Sequence, residues 1–243
     1  MHAPLHTDFR LSREASYLAL LNADGKVAYE FAPEYPEQYD DVSFGKGNTK
    51  RNEVILLREK SPARALVPKT STASKGWKEL DFDDSSWKKG KTAVGYDYGS
   101  RIGLSVSEMR NSTESVYIRV PFTVTDLSQI EEVVLRLKYE DGFAAFINGK
   151  KVASDNAPSS LNWKSGAPQN RPDSIATTPV EFGIAGFSDV LKSGKNILSI
   201  QGLNNQVTSS DVLILPEIVA DKKTDVIDAV GSLFQSSPRE RNN

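Results

Sequence analysis

The 243-residue chain contains no cysteine and only two histidines, His2 and His6. Without cysteine there is no disulfide, no thiolate nucleophile, no iron–sulfur cluster and no Cys-based zinc site. The histidines stand in the first few residues, where chain ends are often loose. A Ser-His-Asp triad or a His-ligated catalytic metal would need one of them to fold back into a pocket. Charge of one sign is also missing: 30 Lys+Arg face 32 Asp+Glu, a net charge of −2. That balance argues against a general nucleic-acid binder, whose affinity comes from releasing phosphate counterions. No apolar run approaches the ~20 residues a membrane-spanning helix needs, so membrane insertion is not expected. The opening MHAPLHTDFR lacks the charged and apolar regions of a signal peptide. Read literally, such a chain stays in the cytosol; read as a segment of a longer secreted protein, it is extracellular or at the cell surface. The motifs below favour the second expectation.

What is present is β pattern. Tyr17–Leu21 and Lys26–Phe31 read as two strands joined by Asn22-Ala23-Asp24-Gly25, too small a sheet to stand alone. Two prolines then break the pattern at Pro33 and Pro36, and FGKGNTKRNE at 44–53 reads as a polar linker. GKGNTK within it lacks the glycine spacing of a phosphate loop. Strand candidates follow at 54–57 and 65–67. The strongest signals are Val116–Val124, with Val116, Ile118, Val120, Phe122 and Val124 on one side, and Val133–Tyr139, with Val133, Leu135, Leu137 and Tyr139 together. Asp141-Gly142 and Asn148-Gly149 read as turns in which glycine supplies positive φ, the second closing a hairpin onto Lys150–Ala153. A polar loop spans 154–178. Further strands are expected at 179–184, 197–203 and 212–218, with a short helical or turn stretch at 187–191. Many short strands with almost no helical periodicity describe an all-β sandwich.

Taken in order, WKELDFDDSSWKKG, VYIRVPFTV, LRLKYEDGFAAFINGKKVA, LKSGKNILSIQGLN and SSDVLILPEI resemble the galactose-binding-like jelly-roll superfamily. The likeness is strongest to the form found in large multidomain secreted proteins of planctomycete and verrucomicrobial type. LHTDFRLSREASYLALLNADGKVAYEFAPEYPEQYDDVSFG resembles the C-terminal half of a lamin-tail domain, with its N-terminal strands missing. These likenesses imply a partial lamin-tail-like β segment over 1–45, a linker over 46–53, a jelly-roll β-sandwich over 54–220 and a polar tail over 221–243. They also imply a non-catalytic carbohydrate-binding module, with a polysaccharide and other domains of a longer chain as partners. The alternative is a structural adapter with no sugar ligand, marked by the absence of an exposed aromatic cluster at one end of the sandwich.

Candidate side chains follow from chemistry. Trp163 lies in the long polar loop, where an indole can stack on a sugar face while Asn162, Gln169, Asn170 and Arg171 bind hydroxyls. Tyr96 and Tyr98 form a similar pair in GYDYG. Asn204, Asn205 and Gln206, with Ser209, Ser210 and Asp211, join the last two strands; they suit a ligand or satisfy nearby backbone. Trp77 and Trp87 flank an acidic turn and read as either a sugar platform or packing groups. Asp83 and Asp84 there could offer oxygens to a structural calcium ion. No pair of carboxylates is marked by a motif as a glycosidase couple, so catalysis is not expected.

Overall fold

The computed structural model describes residues 17–22, 25–31, 52–71 and 75–222. His2, His6, Pro33, Pro36, residues 46–51 of the linker and residues 223–243 of the tail lie outside the described residues, while Glu53 at the linker's end opens a strand. The chain divides into two compact units, Met1–Lys50 and Arg51–Asn243. In the first, β1 (Leu18–Leu21) and β2 (Val27–Phe31) pair antiparallel, as the alternation and turn chemistry predict.

The second unit is a β-sandwich of two sheets. One has the order β11 (Lys150–Asp155), β10 (Gly142–Ile147), β13 (Gly194–Leu203), β8 (Ser115–Val124), β4 (Pro62–Leu66) and β5 (Lys88–Lys91). The other runs β12 (Val180–Gly183), β9 (Ile130–Glu140), β14 (Val212–Lys222), β6 (Val94–Tyr96) and β7 (Leu104–Ser105), with β3 (Glu53–Leu57) also pairing β14. All pairings are antiparallel except β6 with β7.

Alternation sorts each strand between two environments. Val116, Ile118, Val120, Phe122 and Val124 of β8 meet Val133, Leu135, Leu137 and Tyr139 of β9 in the core between the sheets. Burial of each such side chain contributes about 1.5–3 kcal/mol, so the predicted inward faces carry the fold. Glycine is required at one close approach in the core: a Cβ on Gly202 would lie 2.9 Å from Ile214 Cγ1 and 3.0 Å from Val116 Cγ1.

The Asn148-Gly149 turn has positive φ at both residues and joins β10 to β11, as predicted. Gly142 differs from its expected role. Its φ is not in the left-handed region, and β9 and β10 belong to different sheets, so Asp141 is a corner between layers. The glycine is needed because a Cβ there would lie 2.2 Å from the Asn156 carbonyl oxygen.

A second, smaller core covers the outer face of the β8 sheet. Trp77 (1% exposed) stacks on Tyr117 with centroids 4.3 Å apart, Trp87 lies at 6.4 Å from both rings, and Phe82 meets Trp87 edge-on. Both tryptophans are therefore packing groups. The loop between them is held by Arg119, whose guanidinium donates to Asp84 Oδ2 at 2.7 Å and to the carbonyls of Trp77, Glu79, Leu80 and Phe82.

Candidate functional site

One end of the sandwich gathers the ends of five strands. Glu140 closes β9 opposite Leu213 of β14; Tyr96 closes β6 opposite Val212; Gly142 opens β10 opposite Leu203, after which β13 gives way to Asn204. The 154–178 loop reaches the same end and carries a single helical turn, α1 (Asp173–Ala176). It is pinned there by Asp141, a buried carboxylate whose Oδ1 accepts from the Arg171 amide at 2.7 Å and whose Oδ2 accepts from the Asn205 amide at 2.8 Å. Asn156 adds a bridge, donating to the carbonyls of Asp141 and Gln169.

Three acids converge on this frame. Glu140, Asp173 and Asp211 each present a carboxylate oxygen, and these oxygens all lie within 4.8 Å of one another. Glu140 is buried, Asp211 half-buried and Asp173 exposed. Tyr98 donates its hydroxyl to Glu140 Oε2 at 2.6 Å. Burial pushes the Glu140 carboxyl up to about 8; the Tyr98 hydrogen bond opposes this, while Asp211, Asp173 and Asp141 add to it. Burial also raises Asp211, and the Asp173 charge adds to the rise. Tyr98 is raised by its own burial and then by its bond to Glu140. Such a group of hard oxygen donors, free of nitrogen and sulfur, matches the ligand chemistry of calcium. An acidic triad with the donor chemistry of a metal site, one member buried, is thus present.

The sequence-predicted residues divide between two places. Tyr96, Tyr98, Asn204 and Arg171 stand around the acidic end. Tyr96 is buried; its hydroxyl donates to the Ser209 carbonyl at 3.2 Å and accepts from Asn204 Nδ2, while Arg110 lies over its ring. Asn204 is 1% exposed, and its Oδ1 has no hydrogen-bond partner. Arg171 donates to the Tyr139 carbonyl at 2.6 Å and stacks over the Tyr139 ring at 4.1 Å.

Trp163 and Asn162 lie on the outer sheet face instead. Half-buried Trp163 packs against the Trp77–Trp87–Tyr117 cluster. Asn162 Oδ1 accepts from the Lys164 amide, and the Asn162 carbonyl accepts from Gln201 Nε2 at 2.8 Å. At the acidic turn, Asp83 Oδ1 accepts from the Ser85 amide, while Asp84 gives one oxygen to Arg64 at 3.1 Å and the other to Arg119. Two guanidinium groups thus already balance Asp84, whereas Glu140 and Asp211 face further negative charge.

Sequence reasoning passed over Glu140 and Asp173 and treated Asp211 as one member of a polar connection. Local satisfaction is visible in that connection, where Ser209 and Ser210 hydroxyls both donate to Asp211. The three acids come from a strand end, a helical turn in a loop and a connection between strands, so no spacing joins them. The one available signal was Glu140 itself, an acid extending an alternating apolar strand into a corner.

No protein-family model matches the chain, and the search of curated proteins returned no match. Among solved structures, a Bacteroides uniformis β-glucuronidase is similar at a TM-score of 0.46 and 15% identity, over 69% of this chain and 18% of that one. An uncultured Clostridium sp. β-glucuronidase has a TM-score of 0.44 and 14% identity, over 75% and 31%. A glycosyl hydrolase family 2 member from Bacteroides cellulosilyticus has 0.43 and 10%, over 71% and 21%. The chain spans less than a third of the length of each of these proteins.

Proposed function

We propose that the sandwich is a non-catalytic carbohydrate-binding module of a larger secreted or surface protein, engaging a polysaccharide at its acidic end with a calcium ion. The observation that carries this reading is the convergence of Glu140, Asp173 and Asp211 oxygens within 4.8 Å. Calcium takes six to eight oxygens, and three carboxylates leave positions that vicinal sugar hydroxyls can fill. Tyr98 and Arg171 at the rim supply an aromatic face and a cation. Burial of Glu140 supports a binding role over glycoside hydrolysis, because a general acid must reach the glycosidic oxygen. Glu140, Asp173 and Asp211 would hold the ion, which would supply charge neutralisation, while Tyr98 fixes the Glu140 carboxylate and Asp141 holds the Arg171 loop in register.

The structural adapter keeps one observation in its favour. Among the described residues of the second unit, the large exposed apolar side chains are Ile55, Ile175 and Val207, none aromatic.

Affinity electrophoresis separates the two. With calcium, a panel of neutral plant and algal polysaccharides should include at least one that retards the chain, and both chelator and Asp173→Asn/Asp211→Asn should abolish the retardation. No retardation by any polymer, with calcium-free and calcium-loaded protein alike, would favour the adapter.

A further inference from the structure

The outer face of the β8 sheet carries a groove of about 470 Å³, away from the acidic end and between the 77–87 loop and strands β5, β4, β8 and β13. That volume falls in the roughly 300–1,000 Å³ range of small-ligand sites. Its apolar lining comes from Leu80 and Phe82 of the loop and Pro121 and Ile197 of the sheet. Its charged lining is one-sided: Arg64, Lys89, Arg119 and Lys195 against the single carboxylate of Asp84. Asp84 is already shared by the two arginines, so it does not neutralise the lysines.

Strand register explains the arrangement. Lys89 lies across from Arg64 and Arg64 across from Arg119, so one rung of the sheet lines up three cations. Lys195 lies across from Thr123 on the far side of β8, and Ile197 across from Pro121. Both lysines are exposed and neither pairs with a described carboxylate. An edge strand rich in lysine guards against sheet-to-sheet pairing, which accounts for Lys89 on β5. It does not account for Lys195, which belongs to an interior strand.

We infer that this groove binds an acidic oligosaccharide, with one uronate carboxylate or sulfate at Lys89 and Arg64, another at Lys195, and a pyranose face laid on exposed Pro121 between them. The inference rests on the reading of the chain as a carbohydrate-binding module and names a second ligand class for it. Charge complementarity selects the occupant: a neutral sugar leaves the two lysines unused. An acidic peptide lacks backbone partners here, because the floor is a sheet face whose main-chain groups are already paired in the ladders. Arginine and lysine recognise carboxylate and sulfate through charge-assisted hydrogen bonds, and salt should weaken them at this exposed site.

The test is affinity electrophoresis in chelator, which silences the acidic end, with polygalacturonate, its fully methyl-esterified form and poly-glutamate as probes. Polygalacturonate should retard the chain, its ester and poly-glutamate should not, and Lys89→Glu/Lys195→Glu should weaken retardation at least about tenfold. Both positions are exposed, so the variant should keep the parent's near-UV circular dichroism; Lys89→Ala/Lys195→Ala serves if it does not. Undiminished retardation of a folded variant, equal retardation by poly-glutamate, or none by polygalacturonate would overturn the inference. Retention of a neutral polymer in calcium is scored separately, so the acidic-end reading stands or falls on its own result.

Discussion

Arg119 and Asp84, 35 residues apart in the chain, meet through a charge-assisted hydrogen bond of 2.7 Å between a guanidinium that is 2% exposed and a carboxylate that is 22% exposed. The same guanidinium donates to four carbonyls of the 77–82 stretch. One side chain of β8 therefore organises the loop that seals the Trp77–Trp87 cluster and walls the cationic groove.

Arg119→Met should cost about 3 kcal/mol, since breaking a largely buried pair leaves carbonyls and a carboxylate without their partner. Arg119→Lys should recover little of it, because an ammonium lacks the planar fork that serves several acceptors. Urea unfolding followed by tryptophan fluorescence measures both. A loss below about 0.5 kcal/mol in Arg119→Met would show that the guanidinium does not hold the loop.

Stability should depend on pH through Glu140. Its carboxyl titrates near 8 in the folded protein against an ordinary value of 4.5, so the native state keeps a proton that the unfolded chain has lost. Stability therefore falls as pH rises from about 4.5 to about 8 and levels off above that, by an amount on the order of a few kcal/mol. Glu140→Gln should flatten this slope and be more stable than the parent at pH 8. Thermal unfolding across pH 5–9 gives the answer; parallel profiles for the two proteins would dismiss the effect.

Calcium should reverse that penalty. Binding requires ionised carboxylates, so the ion should raise Tm more at pH 8 than at pH 5.5. At a hundredfold excess over Kd the gain is about 2.7 kcal/mol. Tyr98→Phe, which removes the hydroxyl bonded to Glu140, should push that carboxyl higher still and shrink the calcium shift at pH 7. An unchanged Tm on adding calcium at pH 8 would remove the ion from the site.

Trp163→Ala separates packing from binding. The indole rests on the second core, so its loss should lower stability by about 1–2 kcal/mol, less than for a fully buried tryptophan. Saccharide retention at the acidic end should persist in the folded variant. Loss of retention with stability intact would move the site onto the outer face.

The strands of this protein were legible because their signals are local. A side-chain period of two marks Val116–Val124 and Val133–Tyr139 wherever they fold, and Asn148-Gly149 announces its turn through the positive φ both residues tolerate. Strands β6 and β7 gave no signal because two or three residues are too few for a period, and β5, Lys88–Lys91, has no apolar residue to alternate. Among the candidate residues, Tyr96, Tyr98, Arg171 and Asn204 were singled out by type, and the structure brings them to one end of the sandwich beside the three acids. Of the acids beside them, Asp211 was named as part of a polar connection, and Glu140 and Asp173 were not singled out.

Residue chemistry by itself settled the all-β class, the absence of thiol chemistry and the inward faces of the central strands, since each depends on composition or on neighbours a few positions apart. Tertiary structure alone decided that Glu140, Asp173 and Asp211 share one site while Asp84 is neutralised between two arginines. A carboxylate's chemistry is set by the charges and solvent within a few ångströms, and here those neighbours arrive from strands and loops far apart in the chain.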